Sequence, residues 1–378
     1  MTSDTIIIKV CGVGLGVRDE FFSSGGTMDN TIPERVATDF GRRKTLGQLF
    51  GGAAAVAASG TMFSREEEVL AATLAGQDGA APIRSVPNGQ YEASQLPANW
   101  AKLEELKQPV PKAKLGKMTL SRMFPGGNLV SGFAHARDLI YVSSLVLAYH
   151  TKEKIFATLQ LAESCGMNTF LMNPSLCGVI NEYWEKVGGT IQFMTNCSGK
   201  TEAELLGNMQ KSIDFGASSC LVQGEVADRL VREKQFDQIA KSLELVRKNG
   251  LPAGIAAHRL ETLQGCVAEG LIPDYWMKTF HHHQYWSAVP GQAEHDNIFC
   301  REPRETIEFM ADRPEPWIAF KVLAAGAICP DDGFRFAFEG GADFICIGMY
   351  DFQIVDDVNI CMDILSSQLN RARPWCNA

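Results

Sequence analysis

The sequence lacks three features that would place the protein in a familiar class. It has no excess of basic residues, since 35 Lys and Arg stand against 44 Asp and Glu for a formal net charge of −9. A protein that follows a phosphate backbone carries a basic surface, so nucleic acid is not an expected partner. The 11 cysteines are scattered without any C-x-x-C pair, which argues against a zinc ribbon or a disulfide-rich scaffold. No apolar run reaches the ~20 residues of a membrane-spanning helix, so no stable membrane span is predicted.

The first 75 residues are predicted to be a leader that contains an export signal. Arg42 and Arg43 precede an apolar run, rich in Gly and Ala, over 46–58. A basic start, a short apolar core and small residues after it are typical of a secretory signal, and the arginine pair resembles a twin-arginine signal. We therefore expect a periplasmic or extracellular protein that meets the twin-arginine translocase during export. Residues 76–113, rich in Pro, Gly, Ala and Gln, are predicted to form a tether or strap with at most one short helix over 99–107.

From residue 114 onward, short apolar runs alternate eight times with amphipathic segments. The predicted strands are Asn128–Gly132, Asn168–Asn173, Ile191–Asn196, Ser219–Gln223, Ala253–His258, Tyr275–His281, Trp317–Val322 and Asp343–Gly348. The predicted helices are Thr151–Cys165, Gly178–Lys186, Thr201–Phe215, Val226–Lys248, Leu260–Glu269, Pro303–Asp312, Asp331–Glu339 and Val355–Arg371. Eight such pairs over 114–376 predict an α/β protein, a (β/α)8 TIM barrel, whose usual size is ~250 residues. A doubly wound sheet is disfavoured, because residues 125–128 supply no Gly-rich phosphate loop.

Four segments of the barrel region carry a family resemblance in their order and spacing. They are LGKMTLSRMFPGGN at the start, EKIFATLQLAESCGMNTF, IAFKVLAAGA and the closing FICIGMYDFQIVDDV. They resemble the entry, the first helix with the second strand, the seventh strand and the close of the aldo/keto reductase superfamily. The resemblance covers nearly the whole barrel and implies an aldo/keto reductase-like fold.

The resemblance does not extend to the chemistry of that family. The positions where the family carries its catalytic Asp, Tyr, Lys and His hold Leu171, Leu176 or Cys177, Asn196 and Glu225. Tyr350 and Asp351 stand where basic residues hold the cofactor phosphate. The proton donor of a hydride transfer is therefore missing. NADPH is not an expected cofactor, and a reductase is kept as an alternative only.

A divalent metal is the first hypothesis for what replaces those residues. In a barrel, function lies at the C-terminal ends of the strands, and there the alternation of side chains predicts that His258 faces inward. In the sixth strand, the cost of burying Lys278 under a helix favours an inward Lys278 and His282. The predicted ligands of a Zn, Mn or Fe ion are Glu225, His258 and His282, or His281 in its place. Glu225 and Lys321 are the predicted catalytic groups of a lyase, isomerase or hydrolase acting on a polar, carbohydrate-like substrate.

Two further hypotheses use the same strand ends. One is a Schiff base on Lys321 or Lys278, as in aldolase-type barrels. The other is a non-catalytic sugar-binding barrel that uses the aromatic residues Tyr275, Trp276, Tyr285, Trp286 and Trp317. In all cases the predicted partner is a small-molecule substrate, contacted by Asn173, Asn196, Gln223, Tyr285, Trp286 and Asp351. The long loop over 281–300 is expected to bind substrate, and the apolar insertion over 135–150 to cover the mouth or form a contact between subunits of an oligomer.

Overall fold

The computed structural model describes residues 100–133, 139–285, 288 and 298–376. The predicted leader, the export signal and the first part of the strap lie outside these residues. The strands are β1 (Lys112–Leu115), β2 (Met118–Ser121), β3 (Met123–Pro125), β4 (Thr169–Met172), β5 (Gln192–Cys197), β6 (Ser219–Val222), β7 (Ala253–Ala257), β8 (Tyr275–Thr279), β9 (Trp317–Phe320) and β10 (Phe344–Ile347). The α-helices are α1 (Val142–Tyr149), α2 (Lys152–Ser164), α3 (Cys177–Val187), α4 (Glu202–Asp214), α5 (Gly224–Arg232), α6 (Phe236–Lys248), α7 (Leu260–Ala268), α8 (Pro303–Ala311), α9 (Pro330–Glu339) and α10 (Ile354–Ser366).

Strands β3 to β10 form one parallel sheet that closes into a barrel. Their order is β3-β10-β9-β8-β7-β6-β5-β4, and a parallel bridge between Gly126 and Leu171 joins the two ends of that order. Each strand is followed along the chain by at least one helix. The predicted (β/α)8 barrel is therefore confirmed.

The side chains of the barrel strands divide into two hydrophobic clusters because successive residues point to opposite faces. The interior cluster fills the barrel axis and includes Phe124, Leu171, Met194, Leu221, Ala256, Met277, Ile318 and Phe344. The outer cluster, which includes Trp276, Phe280 and Trp317, packs the strands against the helices. This division tells which strand-end residues face the mouth.

A hairpin covers the N-terminal end of the barrel. Strands β1 and β2 pair antiparallel, and Leu115 and Leu120 are fully buried in the interior cluster. The side chain of Asn168 joins this hairpin to the start of β4, since it accepts from Ser121 N at 2.8 Å and donates to Thr119 O at 2.8 Å. The opposite end, where the strands finish, is left for function.

Two of the predicted elements are wrong. The first barrel strand is β3 rather than 128–132, which forms turns. The pairing with β10 and β4 is made earlier in the chain and finishes with Gly126 and Gly127, which donate to Ile347 O and Leu171 O. The single helix predicted over 226–248 is two helices. Lys234 has a left-handed φ of 57° and breaks the helix.

The described part of the strap runs along α10. Ala101 N donates to the carboxylate of Asp356 at 2.8 Å, and Lys107 N donates to Asn359 at 2.8 Å. The short helix predicted here is a single 3₁₀ turn over Leu103–Glu105. Among the described helices, none has the length and apolar character that crossing a bilayer requires.

Candidate active site

Six residues take the inward-facing position at the C-terminal ends of their strands. In β7, Ala256 belongs to the interior cluster, so His258, two residues later, follows on the inward face. In β4, β5, β6, β8 and β9, the residue two positions after the interior-cluster residue is likewise expected to face inward. These residues are Asn173, Asn196, Gln223, Thr279 and Phe320. The ring of His258 lies beside that of Phe320, with centroids 5.6 Å apart, as its predicted inward orientation requires. Asn173, Asn196 and Gln223, three of the predicted substrate contacts, thus lie at the same end of the barrel as His258.

His258 is held by a carboxylate from α5, the helix that follows β6. Its Nδ1 lies 2.9 Å from Oδ2 of Asp228 on α5, and its backbone N donates to the same oxygen at 3.2 Å. Thr262 Oγ1 donates to the other carboxylate oxygen at 2.6 Å. Asp228 is 8% exposed. The residue is therefore a buried carboxylate whose hydrogen bonds serve to fix the end of β7 and the imidazole that follows it.

The charge of Asp228 determines which nitrogen of the imidazole carries the proton. Burial works to raise the pKa of Asp228, but the hydrogen bonds from His258 and Thr262 outweigh it and hold the pKa below its usual value. An ionised carboxylate only accepts hydrogen bonds, so Nδ1 of His258 carries the proton. In the neutral ring, Nε2 then has a free lone pair. The side chain of His258 is 30% exposed, so this nitrogen is placed to act as a base.

The position of the imidazole is also fixed from two other sides. A Cβ at Gly224 would lie 2.9 Å from Cε1 of His258, so only glycine fits at the start of α5 without moving the ring. On β9, the ring of Phe320 has its centroid 5.6 Å from that of His258. The imidazole thus has restricted freedom before any substrate arrives, which favours catalysis.

Two unsatisfied polar atoms belong to inward-facing residues at the ends of β5 and β8. Within the described residues, Oδ1 of Asn196 and Oγ1 of Thr279 are buried without a hydrogen-bond partner. Both belong to inward positions of their strands. A buried polar atom without a partner costs about 1–3 kcal/mol. Because both atoms are closed off from solvent in the structure, a substrate would bond them only after side chains at the mouth move. Gln223 has a structural bond, since its side chain accepts from Val226 N at 3.3 Å.

Lys278 lies on the outward side of β8, contrary to the predicted inward orientation of Lys278 and His282. The neighbouring Trp276 and Phe280 share its parity and pack in the outer cluster, and their packing decides the face. Lys278 is fully buried, and its Nζ donates to His258 O at 2.7 Å and to Thr279 O at 2.9 Å. Burial lowers the pKa of its ammonium group. The lysine therefore ties the ends of β7 and β8 together.

His281 has both ring nitrogens engaged with backbone groups. Nδ1 lies 2.9 Å from His282 O, while Nε2 accepts from Phe299 N at 3.1 Å and Cys300 N at 2.9 Å. Burial lowers the pKa of His281 to about 3, so the ring is neutral. Its function in the structure is to fix residues 299 and 300 beside β8.

The remaining predicted metal ligands are spread around the mouth. His282 accepts from Gln284 N at Nδ1, and its Nε2 lies 3.1 Å from Oδ2 of Asp332. Glu225 is exposed on the first turn of α5. Across the described part of the chain, no three His, Cys, Asp or Glu side chains form a group that could hold a metal. The metal ligand set remains a prediction, and the observed contacts of His281 do not fit it.

The other predicted residues have defined positions. Lys321 follows β9 with a left-handed φ of 55° and places Nζ 3.9 Å from the ring centroid of Phe299. Asp351 accepts from Tyr149 and, at 2.9 Å, from Nζ of Lys154. Tyr285 is buried. Trp286 lies outside the described residues.

Sequence reasoning missed Asp228, Thr262 and Thr279. Asp228 is one helical turn after Glu225, the residue on which the reasoning concentrated. The alternation of a strand predicts which of its own residues face the mouth, but it does not predict which residue of the next helix turns back toward them. A buried aspartate among Val226, Ala227 and Leu230 of an amphipathic helix is the one signal that was available.

Comparison with known proteins finds similarity only at low sequence identity, among solved structures. No family model matches the chain, and no curated protein matches it. Among solved structures, a putative aldo-keto reductase from Pseudomonas aeruginosa is 14% identical with a TM-score of 0.48, covering 69% of this chain and 99% of its own. A soluble mutant of the membrane-associated (S)-mandelate dehydrogenase from Pseudomonas putida is 13% identical (TM-score 0.41), covering 74% of this chain and 83% of its own. Deoxyribose phosphate aldolase from Aeropyrum pernix is 13% identical (TM-score 0.38), covering 65% of this chain and 90% of its own.

Proposed function

We propose that this chain is a barrel enzyme that transfers a proton on a small polar substrate, with His258 as the general base and acid. The observation that carries the proposal is the hydrogen bond between Nδ1 of His258 and buried Asp228, which leaves Nε2 for the substrate. A positioned imidazole of this kind contributes about 10²–10⁴-fold to a proton transfer. Such a step belongs to the lyase and isomerase reactions predicted from the sequence.

The substrate class follows from the other groups at the mouth. Oδ1 of Asn196 accepts hydrogen bonds, and Oγ1 of Thr279 both donates and accepts. Hydroxyl and carbonyl groups satisfy these two atoms. We therefore propose a polyhydroxylated carbonyl compound, such as a sugar or a sugar acid, in which Nε2 of His258 removes the proton on the carbon next to the carbonyl.

A metal-assisted form of the same reaction is the second candidate. A carboxylate that orients the far nitrogen of an imidazole also supports metal-binding histidines, and Asp228 does this for His258. The predicted ligands Glu225, His258 and His282 do not form a group that could hold an ion among the described residues. His282 also accepts from Gln284 N at Nδ1 and points Nε2 at Asp332, so this form would require the side chains at the mouth to rearrange. A divalent ion would supply polarisation of the substrate carbonyl.

Export by the twin-arginine pathway belongs to the proposal and depends on Arg42, Arg43 and the apolar run after them.

The experiment is deuterium incorporation from solvent. The protein is incubated in D₂O with a panel of aldoses, ketoses, aldonic acids and uronic acids, and exchange of carbon-bound hydrogen is followed by NMR. We expect the wild type to exchange at least one of these compounds. We expect His258→Gln to exchange the same compound at least ~100-fold more slowly. Loss of exchange in a chelator, with recovery on adding Zn²⁺ or Mn²⁺, selects the metal-assisted form. Exchange that is equal in the wild type and His258→Gln overturns the proposal.

A further inference from the structure

Helix α1 is apolar on nearly every side but is scarcely buried. Of its eight residues, only Val146 is buried, while Leu145 is 60% and Leu147 is 55% exposed. A helix that is hydrophobic all round normally lies inside a protein. Within the described residues no element covers this helix, and most of its apolar side chains are exposed.

The exposed side chains around α1 form one patch. Leu147 lies over Gly132, where a Cβ would come within 2.6 Å of its Cγ, and this contact joins the helix to the turn before it. The α1 patch consists of Phe133, Leu139, Ile140, Tyr141, Leu145 and Leu147, whose side chains are 44% to 94% exposed. At about 150–250 Å² for a large apolar side chain, the exposed part amounts to roughly 650 Å². The largest apolar patch on a typical monomer is about 300–600 Å².

The area fits a contact between two protein surfaces. Burying the α1 patch on two copies would remove roughly 1,300 Å² from water, which lies within the ~1,200–2,000 Å² of a standard protein–protein interface. A patch that contacts itself across a two-fold axis needs only to be complementary to itself. Leu145 and Leu147 are two residues apart and project to opposite sides of the helix, so each would lie on one flank of that contact.

The charges around α1 favour another copy over a membrane surface. From Leu139 to Tyr149 the sequence has no charged residue, whereas interfacial helices carry Lys and Arg to bind anionic lipid. The nearest lysines that follow are already paired, Lys152 with Glu182 at 2.7 Å and Lys154 with Asp351 at 2.9 Å. The chain as a whole has a net charge of −9, which opposes approach to such lipids.

The C-terminal end of α1 is held firmly against the barrel. Tyr149 donates to Asp351, and the ring of His150 stacks on Tyr350 with centroids 5.3 Å apart. Nδ1 of His150 also lies 2.8 Å from Val146 O. A surface that is ordered before association avoids part of the entropy cost of binding.

We propose that the α1 patch is the interface of a homodimer, in which α1 of one copy packs against α1 of a second copy beside the barrel mouth. The mass of the full-length protein, measured by analytical ultracentrifugation over a range of micromolar concentrations, tests this directly. Twice the chain mass of 41.4 kDa is expected for the wild type. The double variant Leu145→Lys/Leu147→Lys buries like charges at the contact and is expected to weaken the dimer at least ~100-fold. The control Phe215→Lys changes an exposed apolar residue at the end of α4 and keeps the dimer.

A second variant does not depend on disrupting the patch. Ser144 is exposed on α1. In a Cys11→Ser background, Ser144→Cys is expected to give a disulfide-linked dimer on mild oxidation. The Cys11→Ser parent is expected to give none, because the described cysteines are buried or nearly so. A wild type that sediments as a monomer throughout overturns the proposal. So does a dimer that the double variant leaves intact. Binding of the monomeric wild type to vesicles of anionic phospholipid, abolished in the double variant, would identify a membrane as the partner instead.

Discussion

The imidazole of His258 and the carboxylate of Asp228 lie 2.9 Å apart at the C-terminal end of the barrel. The helix that follows β6 supplies the carboxylate, and the end of β7 supplies the imidazole. Asp228 is buried and satisfied by three further donors, so the pair is rigid, and the ring presents its second nitrogen to the mouth.

Replacing Asp228 by Asn is expected to slow the deuterium exchange reaction by at least ~100-fold. The amide oxygen still accepts, but the amide group also donates, so it no longer fixes the proton of His258 on Nδ1. The measurement is the exchange rate with the compound that the wild type turns over. Asp237→Asn, an exposed change on α6, is the matched control and keeps the wild-type rate. An Asp228→Asn protein with normal exchange would show that the pair has a structural role only.

Asp228 also predicts a pH dependence of stability. Its pKa in the folded protein is lowered from the ordinary value of 3.8. Its contribution to the free energy of unfolding is therefore complete above pH 3.8 and is lost as the pH falls through the lower, folded-state value. Urea unfolding between pH 6 and pH 3 should show a steeper loss of stability for wild type than for Asp228→Asn. Parallel curves would contradict the prediction.

Asp357 on α10 predicts the opposite pH dependence. Burial, and next the charge of Asp356, raise its pKa from 3.8 to about 8. The folded state thus favours the protonated acid, and stability falls as the pH rises from 3.8 towards 8, by at most about 1.4 kcal/mol per pH unit. Asp357→Asn should remove this slope and stabilise the protein at pH 8 more than at pH 5. Thermal unfolding at the two pH values measures the difference, and equal shifts would show that Asp357 is not the group responsible.

Gly224→Ala is expected to reduce exchange strongly. The new Cβ would lie 2.9 Å from Cε1 and 3.1 Å from Nδ1 of His258, so the imidazole has to move. Gly207→Ala, at a helix position of α4 with nothing within 4 Å of the new Cβ, is the control and should stabilise the protein by about 0.5–1 kcal/mol without changing exchange. If both variants behave alike, the contact with the ring has no functional consequence.

Lys278→Met tests the tie between β7 and β8. It leaves the carbonyl oxygens of His258 and Thr279 without their buried donor, which is expected to destabilise the protein by about 1–3 kcal/mol. Urea unfolding measures the loss. Lys241→Met removes an exposed ion pair with Glu202 and should have no measurable effect. A more stable Lys278→Met protein would mean that burial of the ammonium group costs more than its two bonds return.

The sequence was sufficient to predict the barrel and the inward orientation of His258, because both depend on patterns within one segment of chain. Small residues at Gly254 and Ala256 identified the inward face of β7. The orientation of Lys278 could not be predicted in the same way. Its charge favoured one face and the neighbouring Trp276 favoured the other, and packing of the aromatic ring in the outer cluster decided the outcome.

The partners of the candidate site depend on contacts between separate segments. Asp228 is 30 residues away from His258 along the chain, and no periodicity relates the two. The histidine run at 281–283 supplied one of the three predicted metal ligands, His282 or His281 in its place. In the structure His281 instead accepts two backbone N–H groups from residues 299 and 300. Hydrogen bonds to the backbone of a distant loop leave no trace in residue spacing.

The central claim is that His258 presents an unprotonated Nε2 to the barrel mouth. A long-range ¹H–¹⁵N NMR spectrum of the histidine rings tests it without any substrate, with the signals of His258 assigned by their absence in His258→Gln. At a pH where this ring is neutral, we predict the proton on Nδ1 and a lone pair on Nε2, and the reversed or a mixed tautomer in Asp228→Asn. A neutral His258 with its proton on Nε2 in the wild type would contradict the proposed role of the pair.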